Sequence, residues 1–241
     1  MKLLWYTYFG IYLGFKSLSL IKINRLKKKD ERKAAEYAYK KVQEIARHVL
    51  KASNTKLEIY GEENIPKEAC LFVGNHQAIF DAFAILPVIK NVTGFIAKTE
   101  IEKLPLIPTW LKNIKSVFID RDNIKESIKT INEAAERIKQ GYSMIIFPEG
   151  TRSLASSMGT MKKGSLKIAL KVNAPIVPFT VDGTYRVLEV GKKVTGHTIK
   201  IMFHEPIDTK SLSKEEQKEL TEKVQKIVNT GLEQLVGNIP S

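Results

Sequence analysis

The stretch Cys70-Leu71-Phe72-Val73-Gly74-Asn75-His76-Gln77-Ala78-Ile79-Phe80-Asp81 decides the fold. It opens on a continuous apolar run, which suits a strand buried on both faces. Gly74-Asn75 interrupts that run, and over residues 81–89 the apolar spacing becomes helical. A buried strand that passes through a short turn into a helix is the building unit of an α/β sheet. The pattern continues on both sides. Residues 57–60 alternate like a half-buried strand, while Val117-Phe118-Ile119, Met144-Ile145-Ile146-Phe147 and Ile176-Val177-Pro178-Phe179 are further continuous runs. Residues 124–139, 164–172 and 213–236 carry helical spacing. The expectation is an α/β fold: a mixed, largely parallel sheet flanked by helices, over residues 53–241, with its ligand site at strand ends. Pro178 cannot donate to a ladder, so its strand is expected at an edge or bulged there.

The bulk numbers agree with one sizeable globular domain plus an appendage. The chain has 241 residues, 43% of them hydrophobic. A net charge of +13 and a pI near 9.6 call for an anionic partner, either nucleic acid or an anionic membrane. The single cysteine, Cys70, excludes an internal disulfide and suits a reducing compartment. The four histidines, His48, His76, His197 and His204, do not combine with it into zinc-site spacing, so no metal is expected.

The N-terminus chooses between the two partners. Residues 3–15 read LLWYTYFGIYLGF, and a helix over them is only about 20 Å long, against the roughly 30 Å of a bilayer core. It is expected to lie in one leaflet; a spanning helix over residues 3–23 stays open if Lys16 snorkels. A signal peptide fits poorly, because no small-residue cleavage site follows. Thr7, Gly10, Gly14 and Ser17 recur at steps of three and four, a small face that lets another helix approach. After Asn24-Arg25-Leu26-Lys27-Lys28-Lys29, the positions Ala35, Ala38, Val42, Ile45 and Val49 mark a second amphipathic helix over residues 31–51. Residues 1–52 therefore read as a membrane-binding helical hairpin. Trp5, Tyr6, Tyr8, Phe9, Tyr12 and Phe15 would meet lipid, and Lys27, Lys28 and Lys29 would meet anionic headgroups at about 1 kcal/mol each. The alternative is that both helices simply cap the core.

His76 and Asp81 carry the chemistry. A five-residue step turns about 500°, so two helical residues at that spacing point about 140° apart. The ring of His76 can meet the Asp81 carboxylate only from the loop before the helix. There Asp81 would accept the Nδ1 proton and leave Nε2 as an acceptor, as a general base requires. Taken alone, the pair reads by default as a satisfied surface histidine. A second element, Phe147-Pro148-Glu149-Gly150-Thr151-Arg152-Ser153, leaves another buried strand with a glycine for close backbone approach and an arginine whose planar fork suits phosphate.

Read together, these elements resemble the glycerolipid acyltransferase family, in particular its 1-acylglycerol-3-phosphate acyltransferase branch. Four blocks stand in the family's order: residues 75–81, Phe118-Ile119-Asp120-Arg121, residues 147–153 and Ile176-Val177-Pro178. Ala97-Lys98-Thr99-Glu100 resembles its intervening basic segment. The likeness covers about residues 57–203. It implies transfer of a fatty acyl group from a thioester of acyl carrier protein or coenzyme A to the sn-2 hydroxyl of lysophosphatidic acid. The product would be phosphatidic acid, made without a cofactor at the cytoplasmic face of the membrane. It further implies that His76 is the base, Asp81 orients it, and Arg152, Arg121 and Lys98 hold the acceptor phosphate, with Glu149, Gly150 and Thr151 in the same loop. Two positions depart from the family: Ala78 stands where serine is usual, and Met161 where an aromatic residue usually precedes Lys162-Lys163-Gly164. Arg121 could instead pair with Asp120 or Asp122.

Rival classes fare worse. No Gly-x-Ser-x-Gly elbow is present for a serine hydrolase. No Walker loop, zinc pattern or aromatic-basic motif supports nucleic-acid binding, so no nucleic-acid partner is expected. A membrane-binding module without activity would have no use for both blocks.

Overall fold

The computed structural model describes residues 2–191 and 193–237. Seven strands run in chain order: β1 (Lys56–Tyr60), β2 (Leu71–Gly74), β3 (Thr93–Lys98), β4 (Val117–Ile119), β5 (Ser143–Ile146), β6 (Ile176–Asp182) and β7 (Thr198–Phe203). They form one sheet in the order β1-β7-β6-β2-β5-β3-β4. Every pairing is parallel except β6 with β7. The C-terminal ends of β6, β2, β5, β3 and β4 therefore share one edge, where open α/β sheets place their ligands.

Eight α-helices accompany the sheet among the described residues: α1 (Lys2–Lys16), α2 (Ser19–Lys27), α3 (Glu31–Ala52), α4 (Phe80–Ile85), α5 (Ile107–Asn113), α6 (Ile124–Lys139), α7 (Lys167–Val172) and α8 (Lys214–Val236). Two apolar clusters cover the sheet's two faces. One joins α3, α4 and α5 to Phe72, Ile145, Val177 and Phe179; the other joins α6, α7 and α8 to Leu71, Val73, Met144 and Ile176. Successive residues of β2 alternate between the clusters, as strand geometry demands, which is why its sequence is apolar without interruption. The buried stripe of α3 includes Val42, Ile45, Val49 and Leu50, each worth roughly 1.5–3 kcal/mol when fully buried. Asp30 caps α3 by accepting from Lys33 N, and a Ser213/Glu216 capping box starts α8, each cap worth about 1 kcal/mol.

The N-terminal segment differs from a simple hairpin. Its first arm breaks at Ser17-Leu18 into α1 and α2, so three helices precede β1. On the small-residue face of α1 nothing among the described residues lies within 4 Å of the Cβ position of Gly10 or Gly14, and Ser17 at its end meets another helix, accepting from Trp110 Nε1 of α5 at 3.2 Å. The aromatic residues do not share one face either. Trp5, Phe9 and Tyr12 are spaced four and three apart and turn inward against the core: Phe9 meets Phe83 edge-on at 5.9 Å, and Tyr12 stacks on His48 at 3.9 Å. The Tyr8 hydroxyl is hydrogen-bonded to His48 Nε2 at 2.5 Å. The exposed apolar face of α1 and α2 is instead Leu3, Leu4, Tyr6, Ile11, Phe15, Leu18 and Ile21. Among the described residues no helix is long and apolar enough to cross a membrane.

For Pro178 the second alternative holds: its strand is interior and buried throughout, not at an edge, and the ladder beside it is bulged. Its carbonyl accepts His204 N–H from the β7 side, so its nitrogen faces that side too. There the ladder slips: Phe179 pairs with Phe203 but Ile176 with Ile207, leaving one extra residue opposite Pro178. This is a bulge on the neighbouring segment, and it removes the need for a donor at Pro178.

Candidate active site

β2 delivers its loop to the shared edge under tight control. Asn75 is fully buried, and its side chain continues the ladder: Nδ2 donates to Val181 O and Oδ1 accepts from Val181 N, both at 2.8 Å. His76 follows in the turn before α4, with its ring stacked on Phe147 at 4.3 Å between centroids. Asp81 stands in the first turn of α4 and is 1% exposed. Its Oδ2 accepts from His76 Nδ1 at 2.5 Å and from the backbone N–H groups of Gln77 (2.8 Å) and Ala78 (3.1 Å). Its Oδ1 accepts from the Thr184 hydroxyl at 2.5 Å. With Nδ1–H donated to the carboxylate, Nε2 presents a lone pair, and among the described residues it has no partner.

The loop after β5 closes on the same turn. Glu149 Oε1 accepts from His76 N at 2.7 Å and its Oε2 from Gly159 N at 2.5 Å, while Ser153 N donates to His76 O at 2.9 Å. Burial pushes the Glu149 carboxyl up, and the two backbone donors oppose it. Both Glu149 oxygens are thus committed to tying loops together. Gly150 has φ +80°, and a Cβ there would collide with Arg121 Nη1 and come within 3.2 Å of Lys162 Cε. Glycine is needed so that two cations can lie against the backbone. Thr151 is exposed beside them.

Arg121 leaves β4 half-buried, and its Nη1 is buried without an acceptor among the described residues. It pairs with neither Asp120 nor Asp122; the Asp120 carboxylate accepts from Asp122 N instead. Burial lowers its pKa, opposed by Glu100. Lys98 ends β3 in register with Ile119, exposed at the same edge. Arg152 leans the other way, toward β6: its Nη1 lies 3.2 Å from Glu189 Oε1, which also accepts from Ile79 N at 2.8 Å. The cations predicted to hold one phosphate are thus divided: Arg152 is paired with Glu189, whereas Arg121 lies with Lys162 against Gly150.

An imidazole held by a buried carboxylate, with cations on the same sheet edge, is the arrangement these residues build. Known proteins place this arrangement. The profile of the family described as Acyltransferase matches residues 56–182. The chain belongs to the acyltransferase family. A probable 1-acyl-sn-glycerol-3-phosphate acyltransferase of Mycoplasma pneumoniae is 33% identical over 202 residues, covering 79% of this chain and 76% of its own. A chloroplastic 1-acyl-sn-glycerol-3-phosphate acyltransferase of Brassica napus is 33% identical over 156 residues, 63% of this chain and 45% of its own. The crystal structure of the 1-acyl-sn-glycerophosphate acyltransferase PlsC from Thermotoga maritima superposes with a TM-score of 0.79 at 28% identity, over 100% of both chains.

The acyltransferase match runs from the first residue of β1 to the last of β6. Thr184 and Glu189, which touch Asp81 and Arg152, lie just beyond it and were not singled out from the sequence. Neither sits in a motif, and their partners lie more than 35 residues away, 103 for Thr184 and 37 for Glu189. Lys162 was noticed only as part of a Lys-Lys-Gly segment, and its approach to Gly150 depends on a loop whose path periodicity does not reveal. The missing serine at Ala78 leaves no gap in hydrogen bonding to Asp81, because Thr184 supplies a hydroxyl from the far side.

Proposed function

We propose that this acyltransferase moves a fatty acyl group from the thioester of acyl carrier protein or coenzyme A to the sn-2 hydroxyl of 1-acylglycerol 3-phosphate, giving phosphatidic acid in phospholipid biosynthesis. The observation that carries it is the His76–Asp81 pair, with Nε2 open among the described residues on the sheet edge where Arg121 Nη1 is buried without an acceptor. The acceptor hydroxyl gives its proton to Nε2 as its oxygen attacks the thioester carbonyl. Asp81 stabilises the imidazolium that forms. The tetrahedral intermediate then collapses, the C–S bond breaks, and the imidazolium returns the proton to the leaving thiolate. The buried Nη1 of Arg121 lacks an acceptor among the described residues, and a phosphate arriving there, with Lys98 and Lys162 nearby, would supply one. Arg152 adds a second, outer contact. The names of the similar proteins support the same acceptor.

The exposed face of α1 and α2 suits one leaflet on the cytoplasmic side, where thioester donors are present. Leu3, Leu4, Ile11, Phe15, Leu18 and Ile21 would enter the hydrocarbon edge, Tyr6 the headgroup level, and Lys27, Lys28 and Lys29 would meet anionic lipid. The deciding experiment offers lysophosphatidic acid, glycerol 3-phosphate and neutral lysolipids with both thioester donors, with products identified by mass. Phosphatidic acid should dominate and vanish in His76→Ala. Undiminished turnover by that variant removes His76 from the mechanism, and a preference for neutral lysolipids removes the phosphate site.

A further inference from the structure

Asp81 is gripped from two directions, and only one belongs to its own loop. Three donors, from His76, Gln77 and Ala78, converge on Oδ2, whereas Oδ1 is taken by Thr184 in the 3-10 turn Thr184–Arg186 beyond β6. A carboxylate rotates about its Cβ–Cγ bond in a broad, shallow well. Donors on Oδ2 oppose that rotation from one side, and a donor on Oδ1 adds an independent restraint from the other. Thr184 is fully buried, and its single hydroxyl proton has two candidate acceptors: Asp81 Oδ1 at 2.5 Å and Gln77 Oε1 at 3.4 Å. The nearer, charged acceptor takes it.

The turn that carries Thr184 is itself anchored to the His76 loop. Gln77 Oε1 accepts from Gly183 N at 2.9 Å, and Gln77 Nε2 donates to Asp182 Oδ1 at 2.9 Å, which also accepts from Ser156 at 2.5 Å. Gly183 has φ +93°, and a Cβ there would lie 2.6 Å from Thr198 O, so the turn's path is fixed by backbone packing. All of these groups are buried or nearly so, where a hydrogen bond to a charged group is worth the most.

We propose that Thr184 is a positioning residue for acyl transfer, one that locks the Asp81 carboxylate so that Oδ2 faces the His76 imidazole. The proposal rests on His76 acting as the base. The charged groups around that imidazole are Asp81 from α4, Glu149 from the loop after β5 with Arg121 and Lys162 against Gly150 of that loop, Asp182 and Glu189 from the β6 side, and Arg152, which Glu189 holds. Removing the Thr184 donor concentrates negative charge on Asp81 and favours the protonated imidazole.

The test compares Thr184→Val, Thr184→Ala and Thr184→Ser with the parent and with His76→Ala, in one thioester-release assay across pH, with thermal unfolding of each. Loss of a buried bond to a charged group predicts a fall in kcat of about 10- to 100-fold for the valine and alanine variants. KM for donor and acceptor should stay within about twofold, and the acid limb of kcat/KM should move to higher pH. Serine keeps the hydroxyl and should restore rate and pH profile together. The proposal is overturned if valine or alanine matches the parent, if serine falls as far as they do, or if rate drops while the acid limb stays in place. A fully active His76→Ala overturns the base assignment and this proposal together. An inactive His76→Ala beside an unchanged Thr184→Val overturns this proposal alone.

Discussion

Replacing Asp81 by asparagine separates the charge of this residue from its shape. The carboxylate accepts four hydrogen bonds, three on Oδ2 and one on Oδ1. An asparagine can keep its oxygen toward Gln77 N, Ala78 N and His76, and turn its amide nitrogen toward Thr184, whose hydroxyl can rotate to accept. The fold should survive, with a melting temperature within a few degrees of the parent. What is lost is the anion opposite the imidazolium. Two unit charges about 4 Å apart interact by about 4 kcal/mol at the effective dielectric of a protein site. At about 1.4 kcal/mol per factor of ten, the transfer step should slow by about three orders of magnitude. Steady-state release of thiol from an acyl thioester in the presence of lysophosphatidic acid reads this directly, with kcat falling and both KM values nearly unchanged. A folded Asp81→Asn variant within tenfold of the parent kcat would show that the carboxylate charge does not assist His76.

Gly150→Ala places a methyl group against Arg121 in a backbone conformation that costs an L-residue about 1–2 kcal/mol. KM for the phosphate-bearing acceptor should rise about tenfold while the donor KM holds; equal changes in both would take Arg121 out of acceptor binding. Ile11→Glu with Phe15→Glu should release the protein from anionic vesicles in a flotation assay without altering its melting temperature, whereas Trp5→Ala should lower stability and leave flotation intact. The reverse pattern would show that the inward rings are the anchor. Burial pushes His204 down to about 4 from the ordinary 6.5, so between those values the unfolded chain binds the extra proton. Stability should therefore be complete above about pH 6.5 and decline as pH falls toward 4, by about 2 kcal/mol after allowing for partial exposure. In urea unfolding at pH 4.5 and 7, His204→Gln should lose less than the parent on acidification, and identical losses would refute the assignment.

What could be read from the chain depended on how locally the signal was written. Residues 117–119 and 124–139 match β4 and α6 end to end, because a buried apolar run and a 3.6-residue stripe are properties of neighbouring residues. β3 escaped because Gly94 breaks its run, and glycine is required there since a Cβ would come within 2.7 Å of the Lys115 carbonyl. β7 escaped although Ile199, Ile201 and Phe203 alternate cleanly inward, a signal present but not taken up. α5 is short, with Pro105 just before it and Pro108 in its first turn, too brief to show a period. In the site, His76 and Asp81 were legible because five residues of chain limit how they can meet. Thr184 and Glu189 were not, because their contacts exist only after β6 has joined β2. Composition reads the aromatic residues of α1 as one lipid-facing group, but the four- and three-residue spacing of Trp5, Phe9 and Tyr12 places them on one inward side and leaves Tyr6 and Phe15 outside.

The strand order has a consequence for how activity is acquired. β5 lies between β2 and β3, although both precede it in the chain by more than forty residues. During vectorial synthesis the His76 turn and the Lys98 and Arg121 loops leave the ribosome before the strand that separates them. Until residues 143–146 insert, β2 and β3 offer each other unsatisfied edges, and their direct pairing is a register trap. Glu149, which fastens the His76 backbone, arrives only with that insertion. Regain of turnover during refolding should therefore lag behind helix formation and coincide with closure of the sheet's centre.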